Sequence, residues 1–359
     1  MAPLLPLLYM SILLASCAKE PTSDAARFSI EAFDGYRVLN IQEAWNGDGE
    51  KHRWVLLDST FNSELPDSLK NLPKIKTPVK KAVVLSTTSI AFMERLDLLE
   101  QIVAVENKNL IYSENVQNLP VKEVGSGNSL DLETIMILKP DIVLTFGTGS
   151  SIYDDYPRLK TANIPAVLTA EWMESHPITR FEWIKVFGVL FGKEKEADSI
   201  FVETEKKYNA LAELAQSATK KPIVLTGYPQ GSEWLAGGGK SYFARFLQDA
   251  GAKYIWESTD NTGTLTLNIE TALQSGAKAD FWLHPSLWTS KAEILQNDSR
   301  MTMISGKIYQ SSKRTGKNGS KDFYESAVAY PDLVLADLIF IFHPEILPLH
   351  KFVYYESLK

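Results

Sequence analysis

Residues 193–218, KEKEADSIFVETEKKYNALAELAQSA, contain neither Gly nor Pro. Apolar Ala197, Ile200, Phe201, Tyr208, Leu211 and Ala215 recur there at helical spacing, with Glu and Lys filling the gaps. A helix of this length spans about 39 Å at 1.5 Å per residue, the size of a small domain. On either side, short apolar runs alternate with amphipathic ones, and the two flanks resemble each other. LDLET at 130–134 precedes KPDIVL at 139–144, and LNIET at 267–271 precedes KADFWL at 278–283. Each pair reads as an Asx N-cap, a helix with Glu in its first turn, and a short buried strand. Each half also opens on a β-rich run, at 82–86 and 222–227. The pattern predicts two duplicated α/β lobes joined by one rigid helix.

Strand–helix alternation predicts mainly parallel sheets. In the first lobe, strands are expected at 81–86, 102–105, 141–145 and 165–168, with helices at 89–99 and 132–138. The second repeats the plan with strands at 222–227, 253–256 and 280–283, and helices at 242–250, 270–275 and 331–341. Residues 27–58 read as antiparallel β around a turn-rich NGDG, and 61–80 as a polar connector. SSKRTGKNGS at 311–320 reads as a mobile polar loop. The expected division is a leader at 1–17, a linker and β-hairpin extension at 18–80, and a first lobe at 81–180. A linking-helix region at 181–218 and a second lobe at 219–359 complete it.

Composition narrows the function. The 359 residues suffice for two cores, and a net charge of −7 argues against nucleic acid as partner. MAPLLPLLYMSILLASC is too short to span a bilayer and reads as a secretory signal. LASC at 14–17 is similar to a bacterial lipobox, which makes Cys17 the lipidation site, although no Lys or Arg precedes the apolar run. With the only cysteine so used, no thiol remains for a disulfide, a metal or catalysis.

Candidate chemistry is sparse. GTG at 147–149 lacks the third glycine of a dinucleotide loop, and GGGKS at 237–241 lacks the first glycine of a P-loop. The five histidines include no i, i+4 pair, and no G-x-S-x-G occurs, so neither a zinc cluster nor a nucleophilic hydrolase is visible. Glu133 and Glu270 stand out because equivalent points of both flanks carry them. Helix dipoles favour an acid there by about 0.3–1 kcal/mol, which does not explain the duplication.

VLS at 84–86, LDLETI at 130–135 with KPDIV at 139–143, the linking helix and FLQDAGA at 246–252 carry a resemblance. Over roughly 81–345 the chain resembles the periplasmic binding proteins for ferric siderophores, haem and cobalamin; the β-rich 27–58 segment lies outside that pattern. The resemblance implies two Rossmann-like α/β lobes, a shallow cleft between them, and no catalysis or cofactor. It implies a monomeric lipoprotein of the bacterial cell envelope, facing the periplasm, that hands a metal chelate to an ABC permease dimer. Glu133 and Glu270 would meet permease arginines. Ligands of α/β sheets sit at the C-terminal ends of strands, which selects Tyr153, Trp172, Tyr228, Trp234 and Trp288 as candidate ligand-binding aromatics. No metal-ligating set is expected. Arg158, Arg245 and Arg314 are candidates for an anionic chelate. The alternatives are an exported two-lobed enzyme, or a surface interaction protein using the N-terminal hairpin.

Overall fold

The computed structural model describes residues 26–359 apart from 151, 286 and 287. Cys17 and its signal-like segment lie outside the described residues. The N-terminal strands β1 (Phe28–Phe33), β2 (Tyr36–Gln42), β3 (Lys51–Asp58) and β4 (Lys74–Thr77) form one sheet in that order. The connector is thus not merely a linker: β4 pairs in parallel with β3. Hydrogen bonds fasten this sheet and the residues flanking it to the first lobe. The Trp54 indole donates to Ala166 O at 2.7 Å, and Val79 N donates to Leu190 O at 2.9 Å.

The first lobe contains β5 (Ala82–Val84), β6 (Ile102–Val105), β7 (Lys122–Glu123), β8 (Ile142–Phe146) and β9 (Ala166–Thr169). They lie in the order β7-β6-β5-β8-β9, every pairing parallel. β5 and β9 are buried along their whole length, the signature of a sheet covered on both faces. Its helices are α1 (Thr87–Arg95), α2 (Glu114–Gln117), α3 (Leu132–Leu138), α4 (Tyr156–Thr161), α5 (Pro177–Glu182) and α6 (Ile184–Phe191).

The linking helix α7 runs Glu194–Gln216 and buries Ala197, Phe201, Thr204, Tyr208 and Ala215 along one stripe. It folds back along α6 because Gly192, with φ 72°, ends α6 in a left-handed turn that side chains disfavour. Close packing also needs Gly188: a Cβ there would stand 2.7 Å from that of Ala197.

The second lobe has β10 (Ile223–Thr226), β11 (Tyr228–Gln230), β12 (Glu233–Gly237), α8 (Tyr242–Asp249), β13 (Lys253–Tyr254) and β14 (Thr264–Asn268). It continues with α9 (Ile269–Gly276), β15 (Phe281–Leu283), α10 (Lys291–Asn297), β16 (Lys307–Gln310), α11 (Pro331–Phe342) and β17 (Glu356–Ser357). Its main sheet, β13-β10-β15-β16-β17, is parallel except for the last strand. A small antiparallel sheet, β11-β12-β14, lies beside it where no strand was expected, and 238–241 lead from β12 into α8. The tail is fixed by Asp337, wholly buried in α11, whose carboxylate accepts from the amides of Val353, Tyr354 and Tyr355.

The 311–320 segment, expected to be mobile, is docked on the first lobe. Asn318 donates to the carbonyls of Lys108, Asn109 and Ile111, and Arg314 lies over the Tyr112 ring. Further on, Glu325 accepts the amides of Tyr112 at 2.6 Å and Ser113 at 2.9 Å. Polar composition read alone suggests solvation; here those polar groups satisfy the backbone of the opposite lobe. Among the described residues, no helix is long and apolar enough to cross a membrane.

Candidate functional site

Strand ends of the first lobe and helices and turns of the second lobe line two adjoining recesses that share Thr88 and Arg180. The inner one, about 50 Å³, lies between the lobes, with Arg180 and Pro177 on one side and Tyr242, Phe323 and Tyr324 on the other. The outer one, about 260 Å³, is lined by Ser86, Phe146, Thr148, Glu171 and Trp172 besides the shared pair.

Each polar group here is set by its element. Thr88, in the first turn of α1, donates its single hydroxyl hydrogen to Glu171 Oε1 at 2.6 Å. That leaves Ser86 Oγ, 2.7 Å from Thr88 Oγ1, as the donor of their shared bond. Glu171 is buried on the turn after β9, and its other oxygen has no protein partner. Arg180, on α5, places its guanidinium carbon 4.3 Å from the Tyr242 ring centre, so one cation faces both lobes. Its Nε is enclosed without a partner, as is the Trp172 indole nitrogen.

Phenols gather on the second-lobe side. Desolvation raises the Tyr324 hydroxyl above its ordinary value, and the phenols Tyr242 and Tyr228 add to the rise, placing the three within electrostatic reach. Tyr324 nonetheless keeps 59% of its surface open. His284 ends β15 with φ 60° and lies between Phe243 and Tyr355. Burial, helped by Lys321, pushes its imidazole down to about 3, so it is neutral at physiological pH. Among the described residues, no group of three His, Cys, Asp or Glu could hold a metal ion.

The sequence-selected residues separate into distinct groups. Trp172 lines the outer recess and Tyr228 is half-buried near Tyr324. Tyr153 is 71% exposed, on a loop held by Asp154, which accepts from Thr148 N and Gly149 N. Trp288 is half-buried and sits edge-on to Trp282. Trp234 corrects the expectation: it is 0% exposed, donates to Thr226 O at 2.9 Å and packs on Trp282, so no ring face is left for a ligand. Its alternation within β12 turns it inward.

The candidate arginines are engaged elsewhere. Arg158 donates to the carbonyls of Gly127 and Leu130, Arg245 pairs with Asp249, and Arg314 pairs with Asp322. Arg180 was missed, and nothing in its local sequence, PITRFEW, separates it from a solvated helix charge. Trp45 covers both glycines of the GTG motif, where a Cβ on Gly147 would meet its ring at 2.4 Å, while Thr148 lines the outer recess. Glu133 and Glu270 are exposed in the first turns of α3 and α9, beside the N-caps Asp131 and Asn268.

Two parallel α/β lobes, one joining helix and a polar–aromatic cleft at the strand ends define a two-lobed solute-binding protein. Residues 83–301 match the periplasmic binding protein family, and the chain belongs to it. The family is one of solute-binding proteins, not enzymes. A lipoprotein of Methanocaldococcus jannaschii is 24% identical over 339 residues, covering 85% of this chain and 78% of that protein. Among solved structures, a periplasmic heme-binding protein from Pseudomonas aeruginosa has a TM-score of 0.58 at 16% identity. That match covers 78% of this chain and 98% of the other. A molybdate periplasmic binding protein of an ABC transporter from Haemophilus influenzae has a TM-score of 0.56 at 19% identity, covering 76% and 89%. At these identities the structural likeness shows the fold.

Proposed function

We propose that this chain captures a metal chelate in the interlobe cleft and delivers it to an ABC permease dimer, as a monomer tethered by lipid on Cys17. The observation that supports the reading best is the cleft itself. Aromatic surfaces of Trp172 and Tyr324 flank Arg180 and Glu171 where strand ends of the first lobe face the second, and Tyr228 lies within electrostatic reach of Tyr324. Flat rings offer a macrocycle or a catecholate stacking surfaces, and a few fixed polar groups orient it. Glu133 and Glu270, one exposed acid per lobe, serve as the docking prongs for permease arginines.

The test is direct. Protein purified from cells is examined for visible absorption. It is then titrated with haemin, cyanocobalamin and ferric chelates while tryptophan fluorescence is followed. Saturable quenching at micromolar concentration or tighter by at least one chelate is expected. Quenching by none of them, together with turnover of a substrate, would instead indicate an exported enzyme.

A further inference from the structure

The side chains that the cleft leaves unsatisfied point to what it takes. Among the described residues, ten enclosed side-chain polar atoms have no hydrogen-bond partner, and four belong to Thr169, Glu171, Trp172 and Arg180. Enclosed polar groups are nearly always paired, because an orphan costs about 1–3 kcal/mol. Three of these four, on Glu171, Trp172 and Arg180, line the outer recess, which marks them as groups whose partner comes from outside the chain.

Their chemistry is mixed in sign. Arg180 and the Trp172 indole are donors; the free oxygen of Glu171 is an acceptor. The Ser86–Thr88 relay occupies the other Glu171 oxygen and holds the carboxylate in place. Arg180 makes no ion pair among the described residues, and its contact with Tyr242 neutralises none of its charge. One cation and one carboxylate on the same recess compensate each other. A multiply charged anion would meet a single arginine and be repelled by Glu171, while Arg158, Arg245 and Arg314 are committed to internal partners. The outer recess, about 260 Å³, has room for one arm of a chelate rather than the whole of a large one.

Building on the chelate reading above, we propose that the cleft selects a chelate of low net charge. One arm enters the recess, its anionic oxygen meeting Arg180 and an adjacent O–H or N–H donor meeting Glu171.

The test measures affinities of the wild-type protein for four probes. They are a neutral ferric trihydroxamate, its monocarboxylated form, a trianionic ferric tricatecholate, and molybdate as a bare oxyanion. The monocarboxylated chelate should bind at least tenfold more tightly than the tricatecholate, with the neutral form between them. Arg180→Gln should abolish the preference of the carboxylated over the neutral form, and Arg180→Lys should restore part of it. Glu171→Gln should improve tricatecholate binding relative to the others. A purely structural role for either residue would change all affinities together. Melting temperatures identify any variant that fails to fold, and the wild-type ranking stands independently of the variants. A tricatecholate bound more tightly than the low-charge chelates leaves the chelate reading intact and overturns this inference. So does an Arg180→Gln protein that is folded and unchanged in its ranking. Binding of molybdate alone, or of no probe, overturns this inference, and the chelate reading falls with it when haemin and cyanocobalamin also fail to bind.

Discussion

Trp234 and Trp172 show how the same residue type serves opposite ends. Trp234 sits on an inward position of β12, its indole N–H donated to Thr226 O. Trp172 lies on a turn at a strand end, with its indole N–H unpaired. Trp234→Ala should therefore lower unfolding free energy by about 3–5 kcal/mol, the usual cost of emptying a large aromatic site. Chelate affinity of the remaining folded protein should stay within twofold. Urea unfolding and a fluorescence titration read the two effects separately. A loss of affinity with stability intact would return Trp234 to the ligand site. No strand was expected at 233–237, so neither β12 nor the face it turns to the core was legible in the sequence.

The segment following β16 acts as a strap across the lobes. Asn318 and Glu325 satisfy backbone groups of residues 108–113, so this strap and α7 hold the lobes at two separate places. Burial drives the Glu325 carboxyl up from 4.5 to about 7, with Asp322 and Glu94 adding to the rise and the two accepted amides opposing it. An acid raised on folding contributes stability at pH below its unfolded value, and loses that contribution as pH rises through the folded value. The window is accordingly about pH 4.5 to 7. Glu325→Gln removes this titration, so its stability relative to wild type should improve between pH 5 and pH 8. Urea midpoints at both values measure it; a relative decline across the window would mean that the two accepted amides outweigh burial. The strap escaped the sequence reading because Ser, Lys, Asn and Gly look alike whether they face water or the backbone of a distant element.

At the level of the whole molecule, the duplicated Asx-capped helices α3 and α9 place one exposed acid on each lobe. If both meet permease arginines, docking partly desolvates the pairs, and losing one partner costs about 2–5 kcal/mol. Glu133→Lys combined with Glu270→Lys should leave melting temperature and ligand affinity nearly unchanged. Uptake and permease-stimulated ATP hydrolysis should fall at least tenfold. Normal uptake by the double variant would reduce both acids to helix-dipole partners, worth about 0.3–1 kcal/mol each. The N-terminal sheet belongs to this scale too. Trp45 covers Gly147 and Gly149, and Asn46 reaches Gly263 of the second lobe, so the added sheet borders both lobes.

Periodicity alone determined the parallel lobes, the long helix and the capped acids, because backbone hydrogen bonding and apolar spacing are local properties. LDLET and LNIET carried their caps, helices and following strands in consecutive residues, and the structure places them so. Only the tertiary structure decided which polar groups remain unpaired. Arg158, Arg245, Arg314 and Arg180 are equivalent as letters, and three of them are consumed by partners between 4 and 31 positions away. Arg180 faces Tyr242 across the lobes. A charge becomes a binding group when folding encloses it without a partner, and that depends on every element packed around it.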